Sequence, residues 1–144
     1  MIRAAVIFVA LALVANAAGL DVPRFLTAVR QVEGWDGQDG RHGERGPWQI
    51  TAAVWAMHMP GISFAEARHE GPARVCATKH TQHLSERLAA RGIAPLPYNL
   101  ALAWNAGLGG VLRSRVPDSA YDYAVRVRNL YEAQLTDPVK TPKS

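Results

Sequence analysis

Apolar residues recur at helical spacing along most of the chain. Phe25, Leu26, Val29 and Val32 fall three and four apart on one face of a first helix, with Asp21 placed to cap it, Pro23 tolerated in its opening turn and Gly34 placed to end it. Between residues 34 and 47 this periodicity vanishes. The stretch holds five Gly and five charged residues, which predicts a long loop, and long loops in compact domains are usually functional. A short helix is expected over 51–57, and Ser63 followed by Glu66 reads as a capping box for another. Gly71-Pro72 opens the longest helix, expected to run to about residue 90 with Val75, Ala77, Leu84 and Leu88 facing inward. Pro97 starts a helix through Trp104 that ends at Gly107, and residues 121–135 form the last. With no strand pair and no internal repeat in view, the pattern predicts an all-α, mainly helical single domain.

The first residues follow a different rule. Met1-Ile2-Arg3 is a short basic start, residues 4–15 are uninterruptedly apolar, and Ala15-Asn16-Ala17 offers the small residues a signal peptidase needs. A membrane span would need about 20 apolar residues, more than this run supplies. Residues 1–17 therefore read as a cleaved export signal, residues 18–135 as the folded domain and residues 136–144, with two Pro and two Lys, as a flexible tail. The expected location is periplasmic or secreted, with no stable membrane insertion once the signal is removed.

Composition narrows the classes further. A chain of 144 residues that is 49% hydrophobic and 19% charged, with four Trp, four Tyr and three Phe, can bury a core with no metal or disulfide staple. The lone Cys76 has no internal partner. Sixteen Lys and Arg against twelve Asp and Glu give a net charge of +4, spread with no basic block of the kind nucleic-acid arms carry, so no nucleic-acid partner is expected.

The chemistry centres on Glu33. It closes the first helix at the negative end of the helix dipole and beside apolar Val32, and both influences disfavour the ionised carboxyl, as a general acid working near neutrality requires. From position alone, a solvated helix-terminal carboxylate is the commoner outcome. More informative is the order of motifs. Glu33 is followed by the loop, then Gly43-Glu44-Arg45-Gly46-Pro47-Trp48-Gln49-Ile50, then Ala103-Trp104-Asn105-Ala106-Gly107, then Tyr123-Ala124-Val125-Arg126-Val127. This order, running from about Phe25 to Tyr131, resembles the soluble lytic transglycosylase and goose-type lysozyme superfamily.

The resemblance implies a lysozyme-like fold with a cleft for peptidoglycan glycan strands, acting as a monomer without metal or cofactor. It assigns Glu33 as the catalytic acid and Tyr123 as the residue whose hydroxyl approaches it. Gln49, Asn105, Gly46, Trp48 and Trp104 are placed among the substrate-binding residues, with Gly43 and Gly46 letting the loop backbone pass close to substrate. Three positions depart from the family pattern: Gly34 stands for Ser, Trp104 for Tyr and Trp48 for Met, the last either widening a sugar-stacking surface or filling the core. The implied activity is cleavage of the β-1,4 bond between N-acetylmuramic acid and N-acetylglucosamine to give 1,6-anhydro ends. A hydrolytic muramidase and a catalytically silent glycan-binding protein are the alternatives. Hydrolysis would more often use a second carboxylate, and Asp36, Asp39 and Glu44 lie in the adjoining loop, whose Gly-rich composition suggests mobility unsuited to fixing a base.

Two further groups stand out. Cys76, His80 and His83 fall at i, i+4 and i+7 on one helical face, a spacing able to hold Zn²⁺ with His69 as a fourth ligand, yet no second Cys/His pair closes the set and no metal is expected. Arg113, Arg115, Arg126 and Arg128 flank the last two motifs, where they could meet acidic stem peptides or lactyl groups, though solvated surface Arg are the norm.

Overall fold

The computed structural model describes residues 19–136. Six α-helices follow in order: α1 (Val22–Glu33), α2 (Ala52–His58), α3 (Glu70–Ala89), α4 (Pro97–Ala106), α5 (Leu108–Leu112) and α6 (Asp118–Thr136), with a 3₁₀ helix over Phe64–Arg68 between α2 and α3. Among the described residues, the nearest approach to a strand is the isolated antiparallel bridge between Arg45 and Ile50. The protein is all-α. The expected signal segment and residues 137–144 of the expected tail lie outside the described residues.

Local sequence sets the helix ends. The Asp21 carboxylate accepts from the Arg24 N–H at 3.0 Å and so satisfies one of the free donors at the start of α1. At the other end Gly34 adopts φ 59°, a left-handed conformation that needs no Cβ, and its N–H closes on the Arg30 carbonyl at 3.1 Å. Thr51 caps α2 in the same manner as Asp21 caps α1, accepting from the Val54 N–H.

The core is formed where α6 lies along α4 and α1. Phe25, Leu26 and Val29 from α1, Leu100 from α4 and Val127 from α6 are all buried, each removing side-chain surface worth roughly 1.5–3 kcal/mol. Ala101 and Ala103 on α4, with Ala120 and Ala124 on α6, are buried too, and residues this small let helix backbones approach closely.

The structure differs from the pattern-based expectations at four places. Val75 is 47% exposed. The inward stripe of α3 is instead Ala73, Cys76, Ala77, Thr81, Leu84 and Leu88, and the one hydroxyl in it donates to the Ala77 carbonyl at 2.9 Å. Ser63 begins a 3₁₀ helix of five residues, with its Oγ accepting from Ala65. A short helix, α5, forms over Leu108–Leu112, between the two last expected helices, although Gly109 and Gly110 are weak helix formers. The last helix starts three residues earlier than expected and includes Thr136, the first residue assigned to the tail.

Candidate active site

Glu33 is the final residue of α1, so the left-handed turn at Gly34 swings the chain away and leaves its carboxyl at the head of a cleft. Tyr123 sits on the buried stripe of α6 with Ala120, Ala124 and Val127. Packing of α6 on α1 brings the Tyr123 hydroxyl to Glu33, where it donates to Oε1 at 2.6 Å across 90 residues of chain. Burial is the main influence on the Glu33 carboxyl and raises its pKa above the ordinary value. The Tyr123 hydrogen bond pulls the other way, the negative charge of Glu44 adds to the rise and Arg126 opposes it, and the net direction is upward. The Tyr123 phenol is pushed well above its ordinary range, first by burial and then by the Glu33 charge, so it remains a donor.

The wall facing Glu33 comes from the Gly-rich loop. Arg45 and Ile50 exchange two backbone hydrogen bonds of 2.9 Å, and the four residues between them form a tight turn closed by Gln49 N–H on the Gly46 carbonyl at 2.9 Å. Gln49 takes φ 47°, unusual for a residue with a side chain, and its amide nitrogen also donates to the Gly46 carbonyl at 3.0 Å. Farther out, the Glu44 carboxylate accepts from the His42 N–H at 3.0 Å. A Cβ at Gly40 would stand 2.3 Å from that carboxylate and 2.6 Å from the Gln49 amide oxygen. A side chain at Gly40 would therefore displace the tips of Glu44 and Gln49.

The resulting cleft has a volume of about 330 Å³. Glu33, Trp104 and Asn105 line it from the helices, and Gly40, Arg41, His42, Glu44, Gln49 and Thr51 line it from the loop. Four of the expected site residues, Glu33, Gln49, Trp104 and Asn105, thus share one cleft, and Tyr123 stands behind the first of them. Trp104 is held edge-on by Phe25 and His80, with centroids at 6.3 and 5.2 Å.

Two expected substrate-binding residues are elsewhere. Trp48 is 1% exposed, its Nε1–H donates to the Leu26 carbonyl at 2.9 Å, and the guanidinium of Arg74 lies 5.1 Å from its ring centre, so it is a core residue. Gly46 is buried against the 3₁₀ helix, where a Cβ would fall 1.8 Å from the Ala67 carbonyl oxygen. That approach and φ 75° by themselves require glycine there. Gly43, at φ 84°, faces open space.

The loop is also better fastened than its composition suggests. Asp39 accepts from Arg68 Nε at 2.9 Å and from Arg68 Nη2, and pairs with Arg45 at 3.5 Å, which holds its carboxyl below the usual range. Asp36 is exposed and accepts from the Gln38 N–H at 3.0 Å. Neither lines the cleft, whereas Glu44 does. Of the four flanking arginines, Arg126 acts on the Glu33 charge, Arg128 lies over the Tyr98 ring, and Arg113 and Arg115 are exposed away from the cleft lining.

The Cys/His face of α3 divides. Cys76 is buried with its Sγ 4.0 Å from the Val54 carbonyl, and burial pushes its thiol up to about 11. His69 is exposed at the start of α3. His80 and His83 turn toward His58 of α2, which carried no sequence signal because it lies on another helix. Among the described residues no group of three His, Cys, Asp or Glu side chains is placed to hold a metal ion. Arg41, His42 and Thr51, unremarked in the sequence, belong to the cleft only because the loop folds back over Glu33. Compared with protein-family models, curated proteins and solved structures, the chain matches none.

Proposed function

We propose that the protein is an exported peptidoglycan lytic transglycosylase with a lysozyme-like fold. The reading is carried by the 2.6 Å contact from Tyr123 Oη to Glu33 Oε1, made at the edge of a cleft that also presents Gln49, Trp104 and Asn105. A carboxyl with a raised pKa and a fixed orientation is suited to give up a proton in a transition state.

With Oε1 engaged by Tyr123, Oε2 carries the proton to the oxygen linking muramic acid to glucosamine. The C1–O bond breaks, the glucosamine 4-hydroxyl leaves with that proton and positive charge develops at C1 of the muramic ring. The Glu33 carboxylate then takes the proton of the muramic 6-hydroxyl while its oxygen bonds to C1. A 1,6-anhydro end results, with no water consumed.

Glu44 favours a second reading. It is a carboxylate in the same cleft, oriented by the His42 N–H, and activation of a water there would make the protein a muramidase. Digestion of purified sacculi in ¹⁸O-labelled water separates the two. Unlabelled anhydro ends in the wild type and in Glu44→Gln support transglycosylation; labelled reducing ends that disappear in Glu44→Gln support hydrolysis; no released fragments from a folded, sacculus-bound protein sink both in favour of a silent binding protein.

A further inference from the structure

The histidine pair of α3 plays no part in the proposed chemistry, and α2 adds a third ring to it. His58 Nε2 lies 3.1 Å from His80 Nδ1. The ring centroids stand 5.2 Å apart for His58 and His80, 5.7 Å for His58 and His83, and 6.3 Å for His80 and His83. Two imidazole nitrogens in contact require a proton on one and a lone pair on the other, so the contact exists only while at least one of the rings is neutral.

The surroundings offer little to balance added charge. From α2 comes His58 itself. From α3 come Lys79, whose Nζ donates to the His58 carbonyl at 3.2 Å, Cys76, and Glu86, which lines the same surface depression as His58 and His83. From α4 comes the uncharged indole of Trp104, 5.2 Å from the His80 ring centre. No ion pair to the three histidines is present among the described residues.

We propose that His58, His80 and His83 form an acid-operated latch: neutral, they clamp α2 to α3 and brace Trp104 in the cleft wall, and protonated, they repel one another and release α2. Two imidazolium rings about 5 Å apart repel, Lys79 adds a third positive charge, and the bond between His58 and His80 is lost when both facing nitrogens carry protons. Burial holds His80 down to about 4 from an ordinary 6.5 and lowers His58 in the same direction. Once released, the rings return toward 6.5. Between pH 6.5 and about 4 the released state therefore binds protons that the latched state refuses, and the latch weakens as pH falls through that window. The latch stands whether or not Glu33 cleaves a glycan, because it concerns only how the helices pack.

The test is NMR of the whole protein from pH 8 to pH 4, following the imidazole resonances and amide exchange. His58 and His80 are expected to titrate together below 6.5, and amide protection over Ala52–His58 to fall by about tenfold or more before that of Val22–Glu33 changes. His58→Gln keeps a hydrogen-bonding partner for His80 without a titratable charge and should move the loss of protection down by about one pH unit. His69→Gln, outside the cluster, should leave it unmoved. If His58→Gln already loosens α2 at pH 8, His83→Gln takes its place with the same expectation. Independent titration of the rings near 6.5, or a cluster variant with the wild-type midpoint, overturns the latch.

Discussion

Tyr123→Phe removes one oxygen from the interior. That oxygen donates to Glu33 Oε1 at 2.6 Å, and a hydrogen bond to an ionised acceptor contributes about 1.5–3 kcal/mol. At about 1.4 kcal/mol per tenfold, turnover should fall roughly 10- to 150-fold if that bond holds the acid in its working orientation. Two companions of the rate distinguish this role from simple packing. First, the bond favours the ionised carboxyl, so its loss raises the Glu33 pKa further and moves the alkaline limb of the pH–rate profile upward. Second, Tyr123 is 8% exposed and Phe retains the ring, so the packing and sacculus binding should survive and the melting temperature should fall by no more than the roughly 5–15 °C that loss of this one bond implies. The stability loss has a sign as well. Below the ordinary Glu value of 4.5 the carboxyl is protonated in folded and unfolded chains alike, and the variant should lose ground to wild type as pH rises through the raised value of the folded carboxyl. Fragment release from sacculi gives the rate, co-sedimentation gives binding, and thermal melts at pH 4 and pH 8 give stability. Turnover within about twofold of wild type with an unmoved alkaline limb would remove Tyr123 from the mechanism, and a collapse of melting temperature and sacculus binding together would make it a core residue.

Glu33→Gln should lower activity by at least about 10²–10⁴-fold, since an amide cannot supply the proton, yet it should melt higher than wild type at pH 7 because burial penalises the ionised carboxyl; at pH 4 that advantage should vanish. Gly46→Ala should cost about 2–4 kcal/mol in a urea titration, as its Cβ would meet the Ala67 carbonyl oxygen at 1.8 Å and φ 75° disfavours any side chain. Trp48→Ala should cost about 3–5 kcal/mol and leave sacculus binding per folded molecule unchanged, whereas Trp104→Ala should weaken that binding. Asp36→Asn should keep most of the activity, measured by fragment release, because Asp36 faces solvent away from the cleft.

What could be read in advance followed from how local each signal was. The two ends of α1 are decided within a few residues, by Asp21, Pro23 and Gly34, and all three act as their types predict. On α3 the helical period decides the inner face: Ala73, Cys76, Ala77, Thr81, Leu84 and Leu88 recur three and four apart and go in, while Val75 falls on the opposite side of the helix from Leu84 and stays out. Pairing Glu33 with Tyr123 needed the order of motifs, since no spacing rule links residues 90 apart. Whether a tryptophan meets sugar or core depends on what lies above it, and the arrangement places Trp48 inside and Trp104 on the cleft. Asp39 is a loop anchor because Arg68 arrives from the 3₁₀ helix 29 residues later, which composition could not foresee.

The contact between Tyr123 and Glu33 also sets when a newly made chain acquires its perturbed carboxyl. The acid emerges early in synthesis and its partner emerges 90 residues later, so they meet only by closing a loop whose length-dependent entropy alone is about 4 kcal/mol. That cost is met by the whole interface of α6 with α1 and α4, not by the contact itself. A growing chain, not yet folded through α6, carries Glu33 as an ordinary solvated carboxylate. The raised proton affinity of Glu33 is therefore a property of the finished fold, absent until α6 has docked.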